Sequence, residues 1–423
     1  MLTGMERIKQ LVEESPERKL QTIMHLVNET TLKEVHGRQE KGKAAGVDKV
    51  SKTEYAKNLD ENIGNLIERM KTFGYRPQPV RRTYIEKEGS DKLRPLGIPA
   101  YEDRLVQGVI SEILEIIYEP KFYEFSHGFR EGRNCHQAVK YLDDKLMGKT
   151  SWVVDADIKG FFDNVDHDWM MKFLEHEIAD INLLRYIKRF LKAGIMEADG
   201  YAETDRGVPQ GGLCSPIMAN VYLHYVIDMW FDKRVTKECF GECSMVRYAD
   251  DTVFCFQYEK DAKAFYAKLK ERLAKFGLEL SEEKSKIIKF GRFAGKEAGK
   301  FDFVGFTFVC GKSRNGKFLV KCRTSEKKLK VKRAKASKWI KENMHTPIKE
   351  MISKLNLKLR GHYNYYGLSH NIAQMRGFYR YVKYMLYKIL KKRSQKDKMN
   401  WGKFDKILEF DPLLKPKITV HLW

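Results

Sequence analysis

The sequence has 423 residues, of which 43% are hydrophobic and 12% aromatic, and 79 Lys and Arg residues against 57 Asp and Glu residues give a net charge of +22. The apolar content excludes a disordered polycation, because such chains cannot bury enough surface to form a core. The apolar runs are shorter than the ~20 residues that cross a bilayer, and the seven cysteines are too sparse to indicate a disulfide framework. We therefore expect a basic, intracellular globular protein of about two or three domains.

Hydrophobic periodicity and turn residues predict a mixture of helices and strands along the chain. Residues 1–40 show a helical pattern, residues 42–50 form a loop rich in Gly and Lys, and residues 80–99 form a hairpin followed by a helix over 103–119. Then come a strand over 151–158, helices to about residue 191, a buried helix over 214–233, a hairpin over 245–256 and a helix over 260–276. Residues 303–309 and 318–322 are predicted strands. Hairpins in place of regular βαβ units indicate the α+β class.

The positive charge is concentrated near the C-terminal end of the sequence. Residues 311–400 contain 26 Lys and Arg against 4 Asp and Glu, whereas residues 1–310 contain 49 against 50. Apolar and aromatic residues recur in this segment at helical spacing: Leu355, Leu359, His362, Tyr366 and, less regularly, Tyr381, Tyr384 and Ile389. The pattern predicts amphipathic helices with a basic outer face rather than a solvated tail. A local excess of this size indicates a polyanionic partner.

Two pairs of acidic residues lie within apolar runs. Asp155 and Asp157 are two residues apart in a predicted strand, so both lie on one face of it. Asp250 and Asp251 are adjacent at the tip of a predicted hairpin, where their charges repel each other. Two Mg²⁺ ions ~4 Å apart would offset this repulsion and could activate a hydroxyl and stabilise a leaving pyrophosphate. The alternatives are an ordinary Asp-containing turn and, for Asp155, a structural residue at the strand, with Asp157 as the ligand.

A series of motifs occurs in a fixed order. They are Gly46-Val47-Asp48, Arg94-Pro95-Leu96-Gly97-Ile98-Pro99, His127-Gly128-Phe129-Arg130, Asp155-Ala156-Asp157 with Phe161-Phe162, Gly207-Val208-Pro209-Gln210-Gly211-Gly212, Tyr248-Ala249-Asp250-Asp251 and Leu359-Arg360-Gly361-His362-Tyr363-Asn364-Tyr365-Tyr366. Over residues 40–423 this ordered set resembles the group II intron-encoded reverse transcriptases, also called maturases. The resemblance implies a right-hand polymerase fold with fingers, an antiparallel palm sheet with helices, and a helical thumb. It places the N-terminal extension and fingers at 1–105, the palm with part of the fingers at 106–310, the basic thumb or maturase domain at 311–400 and a tail at 401–423.

The resemblance also implies roles for individual residues. The metal-binding and catalytic set would be Asp157, Asp250 and Asp251, with Ile158 as a further metal contact, and Asp155 would be structural. Phe161 would lie beneath the sugar of the incoming nucleotide and exclude a 2′-hydroxyl, with Phe162 as its rival. The remaining substrate contacts would be Gln210, Pro209 and Gly211 at the nascent base pair and Lys87 and Arg94 at the triphosphate. The expected nucleic-acid contacts are Lys284, Arg130, Arg133, Lys328, Arg333 and Arg360.

The implied activity is RNA-directed DNA synthesis with two Mg²⁺ ions, for which Mn²⁺ could substitute. The expected partners are group II intron RNA or another RNA template, a DNA primer or target, and deoxynucleotides, with no membrane, and the expected location is a ribonucleoprotein in the bacterial cytoplasm or nucleoid. Intron RNA binding would assist splicing and mobility. Two alternatives remain: a related polymerase used in phage defence, CRISPR spacer acquisition or repair, and a polymerase-dead splicing factor, against which the complete aspartate set argues.

Two departures from the family pattern bear on these expectations. The sequence lacks the His-Asn-His endonuclease motifs that many family members carry, so we expect no cleavage of the target strand by this polypeptide. His362 stands where the family often has Trp.

Overall fold

A computed structural model describes residues 4–86, 93–197, 199–313, 315–393 and 399–421. The chain folds as two compact units. The first comprises the described residues up to 138 and those from 153 to 287, and the second comprises residues 139–152 and the described residues from 288 onward. The mixture of helices and sheets agrees with the predicted α+β class. Within the described ranges, no helix combines the length and the apolar character that a membrane span needs.

The elements of the first unit are helices and short strands. They begin with α1 (Gly4–Glu14), α2 (Glu29–Arg38), α3 (Lys52–Tyr55), α4 (Leu59–Lys71), β1 (Val80–Glu86), β2 (Leu93–Ile98) and α5 (Tyr101–Tyr118). Helix α6 (Cys135–Met147) runs from the first unit into the second. Next come β3 (Trp152–Ala156), α7 (Phe161–Asn164), α8 (His167–Glu177), α9 (Ile181–Leu191), β4 (Ile195–Glu197) and β5 (Gly200–Ala202). The last are α10 (Ser215–Leu223), α11 (Thr236–Glu238), β6 (Cys243–Tyr248), β7 (Asp251–Phe256), α12 (Glu259–Lys275) and β8 (Lys286–Lys289), whose last two residues belong to the second unit.

Among its described residues, the second unit contains a three-stranded sheet and four α-helices in addition to the end of α6. Its elements are β9 (Lys300–Phe303), β10 (Phe306–Lys312), β11 (Phe318–Thr324), α13 (Glu326–Glu342), α14 (Ile348–Tyr366), α15 (Ile372–Lys392) and α16 (Trp401–Phe410). The sheet has the order β11-β10-β9 with antiparallel neighbours. The strand predicted over residues 303–309 is wrong in one respect. Val304 and Gly305 have φ of +42° and +81°, so the chain turns there and the prediction spans two strands.

Two sheets of the first unit position the site. The predicted hairpin over residues 80–99 is confirmed: β1 and β2 are antiparallel, from Arg81 opposite Ile98 to Glu86 opposite Leu93. This hairpin belongs to a sheet of order β2-β1-β4-β5. The other sheet has the order β6-β7-β3-β8, with β6 and β7 forming the second predicted hairpin. Because β3 and β7 are neighbours, the two pairs of acidic residues lie on or directly beside adjacent strands.

Side chains at the helix ends explain where several helices of the first unit begin. Asp166 is the N-cap of α8 and accepts from the Trp169 N–H at 3.0 Å, which satisfies a backbone donor that the helix leaves unpaired. At the start of α5 the Asp48 carboxylate accepts from the Tyr101 N–H at 2.7 Å. This contact fixes the Gly- and Lys-rich loop, since Asp48 belongs to it.

The amphipathic helix predicted from the spacing of Leu355, Leu359, His362 and Tyr366 is confirmed. All four residues are buried in α14. The His362 ring lies 4.2 Å from the Phe378 ring, centroid to centroid, and burial lowers the pKa of His362 to about 4. A neutral imidazole thus fills an aromatic core position.

The expectation for the next helix was less accurate. In α15 the buried face is formed by Met375, Phe378, Val382, Met385, Leu386, Ile389 and Leu390. Tyr384 is exposed, because it lies on the opposite side of the helix from these residues.

Candidate active site

Asp157 follows β3 and is held by a later segment of the chain. Asp155 and Asp157 share the face of the strand that is only half-buried, as their spacing predicts. The Asp157 N–H donates to Ser285 Oγ at 3.1 Å, and its carbonyl accepts from the Ser281 N–H at 2.8 Å. The Lys284 ammonium donates to both carboxylate oxygens of Asp157, at 2.9 and 3.0 Å. The backbone therefore fixes this carboxylate, and a cationic group contacts it.

Ile158 forms an antiparallel bridge with Leu280 and has a buried side chain. The hydrogen bonds on either side of the bridge use the carbonyls of Asp157 and Glu279. The bridge therefore does not use the Ile158 carbonyl, which points away from Leu280. A metal contact by Ile158 would have to use this backbone oxygen, because its side chain carries no donor atom.

Asp250 and Asp251 lie at the end of the hairpin formed by β6 and β7. Tyr248 pairs with Asp251, so the turn consists of Ala249 and Asp250, and Asp251 is the first residue of β7. Ala249 has φ of +57°, a left-handed conformation that is costly for a residue with a Cβ atom. Strained backbone of this kind persists only where the surroundings determine it, and it is concentrated at functional sites.

The charges around Asp250 act on one another. Burial raises the pKa of the Asp250 carboxyl, and the negative charge of Asp157 raises it as well, while the positive charges of Arg94 and Arg247 lower it. Within the described part of the chain, no three His, Cys, Asp or Glu side chains form a ready metal-binding group. Two carboxylates that repel each other, with Asp251 beside them, still offer the oxygen donors that Mg²⁺ prefers. The donor chemistry therefore fits a divalent cation.

The two aromatic residues of α7 differ in their exposure. Phe161 is only 2% exposed, whereas Phe162 is half-buried. The Phe162 carbonyl accepts from the Val208 N–H at 2.7 Å, and the Val165 carbonyl accepts from the Gly207 N–H at 2.8 Å. α7 thus anchors the start of the glycine-rich loop. Of the two rings, only that of Phe162 offers a surface to a ligand, so the exposures favour the alternative, Phe162, over Phe161 as the sugar contact.

The glycine-rich loop is fastened to the β1–β2 hairpin. The Gln210 carbonyl accepts from the Gly97 N–H at 2.6 Å. Gly211 has φ of +116°, and a Cβ atom there would lie 2.4 Å from the Gly97 carbonyl oxygen. The Pro209 carbonyl accepts from Ser215 Oγ at 2.6 Å, at the first turn of α10. A glycine is required at position 211, and Gln210 is held half-buried beside β2.

Of the two cations expected near the triphosphate, one is exposed and the other lies outside the described residues. Arg94 is exposed on β2, and its charge reaches Asp250. Lys87 lies outside the described residues. Arg133, which is expected to contact nucleic acid rather than the triphosphate, is half-buried, and its Nη1 donates to the Glu124 carbonyl at 3.0 Å.

Arg130 does not fit the expected contact with nucleic acid. It is buried, and its guanidinium donates to both oxygens of the Glu119 carboxylate. The same group donates to the carbonyls of Tyr123 and Ser126, both at 2.7 Å, and lies over the Phe122 ring. Because its donors are used inside the first unit, Arg130 is a structural residue.

The basic residues expected in the second unit lie on α13 and α14. Arg360 is exposed, Lys328 is half-buried, and the Arg333 guanidinium lies 5.6 Å from the centre of the Tyr381 ring. Further lysines of α13 are exposed: Lys327, Lys330, Lys338 and Lys341. The exposed charge therefore extends along α13, whereas Arg333 packs against α15.

Sequence reasoning missed three polar residues at the β6–β7 hairpin. Arg247, Asp228 and Asn220 each have 0% exposure. Their signal in the sequence was a charged residue within an apolar strand and another within an apolar helix. Charged side chains are almost never fully buried unless they are paired, so two such residues indicate a buried ion pair.

Comparison with known proteins identifies the family. Residues 85–308 match the reverse transcriptase (RNA-dependent DNA polymerase) family. Residues 329–406 match the group II intron maturase-specific domain. The group II intron-encoded protein LtrA of Lactococcus lactis subsp. cremoris is 33% identical over 426 residues, which cover 80% of this chain and 68% of that protein. The chain belongs to the group II intron-encoded reverse transcriptases and maturases.

Shorter matches link this group II intron family member to other proteins. The protein YkfC of Escherichia coli (strain K12) is 37% identical over 183 residues, which cover 42% of this chain and 48% of that protein. Nuclear intron maturase 3, mitochondrial, of Arabidopsis thaliana is 32% identical over 129 residues, 30% of this chain and 18% of that protein. The reverse transcriptase match contains all three candidate aspartates, and the maturase match contains most of α13 and all of α14 and α15.

Proposed function

We propose that this protein is an active RNA-directed DNA polymerase. The observation that carries the proposal is the adjacency of β3 and β7, which brings Asp157 close enough to act on the pKa of Asp250. Paired carboxylates on neighbouring strands are suited to two divalent cations. Membership of the reverse transcriptase family supports the same reading.

In the proposed reaction the primer 3′-hydroxyl attacks the α-phosphate of a deoxynucleotide, and pyrophosphate leaves. Asp157, Asp250 and Asp251, with the Ile158 carbonyl, would hold two Mg²⁺ ions, which supply positive charge to the attacking and leaving oxygens. The exposed Arg94 would contact the triphosphate, because cations are needed where negative charge develops. Mn²⁺ has the same preference for oxygen ligands and could replace Mg²⁺.

Neighbouring residues would bind and select the nucleotide. Phe162 would lie against the sugar, while Gln210, held by Pro209 and Gly211, would contact the nascent base pair. Lys284 contacts Asp157, and we propose that it moves to a template–primer phosphate when a cation binds the carboxylate. These roles are those that the family resemblance implies, and the partial exposure of Phe162 and the half-buried position of Gln210 support them.

We also propose that the protein binds its own intron RNA and assists splicing. The match to the maturase-specific domain and the exposed lysines of α13 support this role. Counterion release from RNA phosphates would drive the association. The fingers, palm and thumb, with boundaries near residues 105, 310 and 400, remain our proposed division of the chain.

The decisive test replaces one carboxylate with an amide of the same shape. Asp250→Asn should abolish DNA synthesis on a primed RNA template, because the amide cannot supply the negative charge that holds the cation. Binding of intron RNA should be unchanged. Asp163→Asn is the matched control, since Asp163 is an exposed carboxylate on α7 outside the proposed set. Normal synthesis by the Asp250 variant, or equal loss in both variants, would contradict the assignment.

A further inference from the structure

Three fully buried polar residues lie directly behind the catalytic hairpin. Arg247 is on β6, Asp228 ends a π-helical turn at His224–Asp228, and Asn220 is on α10. The Arg247 guanidinium donates from Nε to Asp228 Oδ1 at 2.8 Å and from Nη2 to Oδ2 at 2.5 Å. This is a bidentate ion pair with 0% exposure on both sides.

The third nitrogen of the guanidinium connects this pair to the turn. Arg247 Nη1 donates to the Ala249 carbonyl at 3.0 Å and to Asn220 Oδ1 at 2.9 Å. Asn220 Nδ2 in turn donates to the Gly128 carbonyl at 2.8 Å. The carbonyl that precedes Asp250 is thus held by a side chain whose own position is fixed by two other residues.

The backbone that leads into the turn is also held by neighbouring residues. The Arg247 N–H donates to the Phe125 carbonyl at 2.8 Å, and its carbonyl accepts from the His127 N–H at 2.9 Å. A Cβ atom on Gly128 would lie 2.2 Å from the Ala249 nitrogen. These contacts hold Ala249 in the left-handed conformation that it would otherwise avoid.

Stability alone does not account for this arrangement. A buried ion pair must repay the desolvation of both charges, and apolar residues of similar volume are often at least as stabilising. Such pairs are known to specify geometry in some proteins. A π-helical turn, moreover, is frequently found at functional sites. Here the guanidinium of the pair also donates to the Ala249 carbonyl.

We propose that Arg247, held by Asp228 and Asn220, is a positioning residue that fixes the turn of Ala249 and Asp250 and so the spacing between the metal-binding carboxylates. The inference rests on the proposed polymerase function. It assigns to Arg247 no contact with substrate. Its effect on catalysis would pass entirely through the hairpin.

Two variants separate positioning from folding. Arg247→Met combined with Asp228→Leu removes both charges and keeps the volume, so the protein should fold. Arg247→Lys keeps the ion pair but cannot donate to Asp228, Asn220 and Ala249 together, because it lacks the planar fork. Each variant should show about 100-fold lower kcat on a primed RNA template, as expected for a displacement of about 1 Å, with the KM for deoxynucleotides changed far less.

A second measurement does not depend on activity. Binding of Mn²⁺ in the absence of nucleotide, measured from the EPR signal of the free ion, should weaken about tenfold in both variants. The Asp250→Asn variant shows which part of this binding belongs to the proposed site. The control removes the exposed ion pair of Lys268 and Glu238, 2.7 Å apart, by Lys268→Met with Glu238→Gln. This control should keep both kcat and Mn²⁺ affinity.

The outcomes are distinct. Wild-type kcat and Mn²⁺ affinity in the folded variants would overturn the proposal, and so would failure of both variants to fold, since the residues would then serve the fold. If the wild-type protein makes no DNA, the proposed function fails. In that case the Mn²⁺ titration by itself decides whether Arg247 positions the carboxylates.

Discussion

The exposure of a side chain distinguishes residues of the same type that could otherwise take the same role in the site. Phe161 and Phe162 are adjacent aromatics, but only Phe162 has surface that a sugar could contact. Arg94 and Arg130 both belong to motifs of the ordered set. Arg94 is exposed near the aspartates, whereas the Arg130 guanidinium is hydrogen-bonded to Glu119. A residue type therefore indicates a role only when its side chain can reach a ligand.

The two phenylalanines give a prediction at this scale. Phe162→Val should raise incorporation of ribonucleotides relative to deoxynucleotides about 10- to 100-fold, because it removes the ring that would meet a 2′-hydroxyl. Phe161→Val should instead destabilise the protein by about 2 kcal/mol or more, since it leaves a cavity in the core. Primer extension with each nucleotide class and urea denaturation measure the two effects. Relaxed sugar selection in the Phe161 variant alone would return the role to Phe161.

At the scale of elements, the site is assembled where three short segments meet in the first unit. α7 holds the start of the glycine-rich loop through the Phe162 carbonyl, and β2 holds its middle through the Gly97 N–H. Gly211 permits this second contact, because its left-handed backbone and missing side chain let the loop approach the Gly97 carbonyl. The position of Gln210 therefore depends on a backbone approach rather than on its own side chain.

Gly211→Ala tests this approach. The new methyl group would meet the Gly97 oxygen, so the loop should move away from β2 and kcat/KM for deoxynucleotides should fall about 100-fold. Gly200→Ala is the matched control, because Gly200 also has a left-handed φ, of +130°, but no atom within 4 Å of the added Cβ. It should suffer only backbone strain of about 1–2 kcal/mol and keep its activity. Equal loss of activity in both variants would mean that strain alone is responsible.

At the scale of the whole molecule, charge is divided sharply along the chain. The first 310 residues are nearly neutral, and residues 311–400 carry almost all of the excess. In the second unit this excess is displayed on helices whose opposite faces form the core. An exposed and ordered row of lysines is suited to phosphates at regular spacing.

The salt dependence of RNA binding tests this division. Changing Lys327, Lys330, Lys338 and Lys341 to Gln should weaken binding to intron RNA and to a primed RNA template. It should also lower the slope of log K against log salt by about 3. A control with four lysines of α12 changed, Lys263, Lys268, Lys270 and Lys275, loses the same charge from the first unit. An unchanged slope in the α13 variant would exclude these lysines as phosphate contacts.

The sequence by itself determined the family, the candidate aspartates and most of the elements. The order of the motifs identifies the family. Asp157, Asp250 and Asp251 are recognisable because paired carboxylates are costly in apolar strands. Hairpins, α5 and α14 were predictable because their apolar periodicity and turn residues are local properties. The face of α15 and the break at Val304 were missed, because packing selects the buried side and the local backbone conformation.

Only the tertiary structure decided which of these residues meet and what holds them. β3 and β7 are neighbours through a sheet order that no local pattern specifies. The burial of Arg130 and Phe161, the contact of Lys284 with Asp157 and the contacts of Arg247 with Asp228 and Asn220 all depend on residues that are distant in sequence. Such contacts depend on the packing of whole elements against one another, so the sequence names the chemistry of the site and the fold sets its geometry.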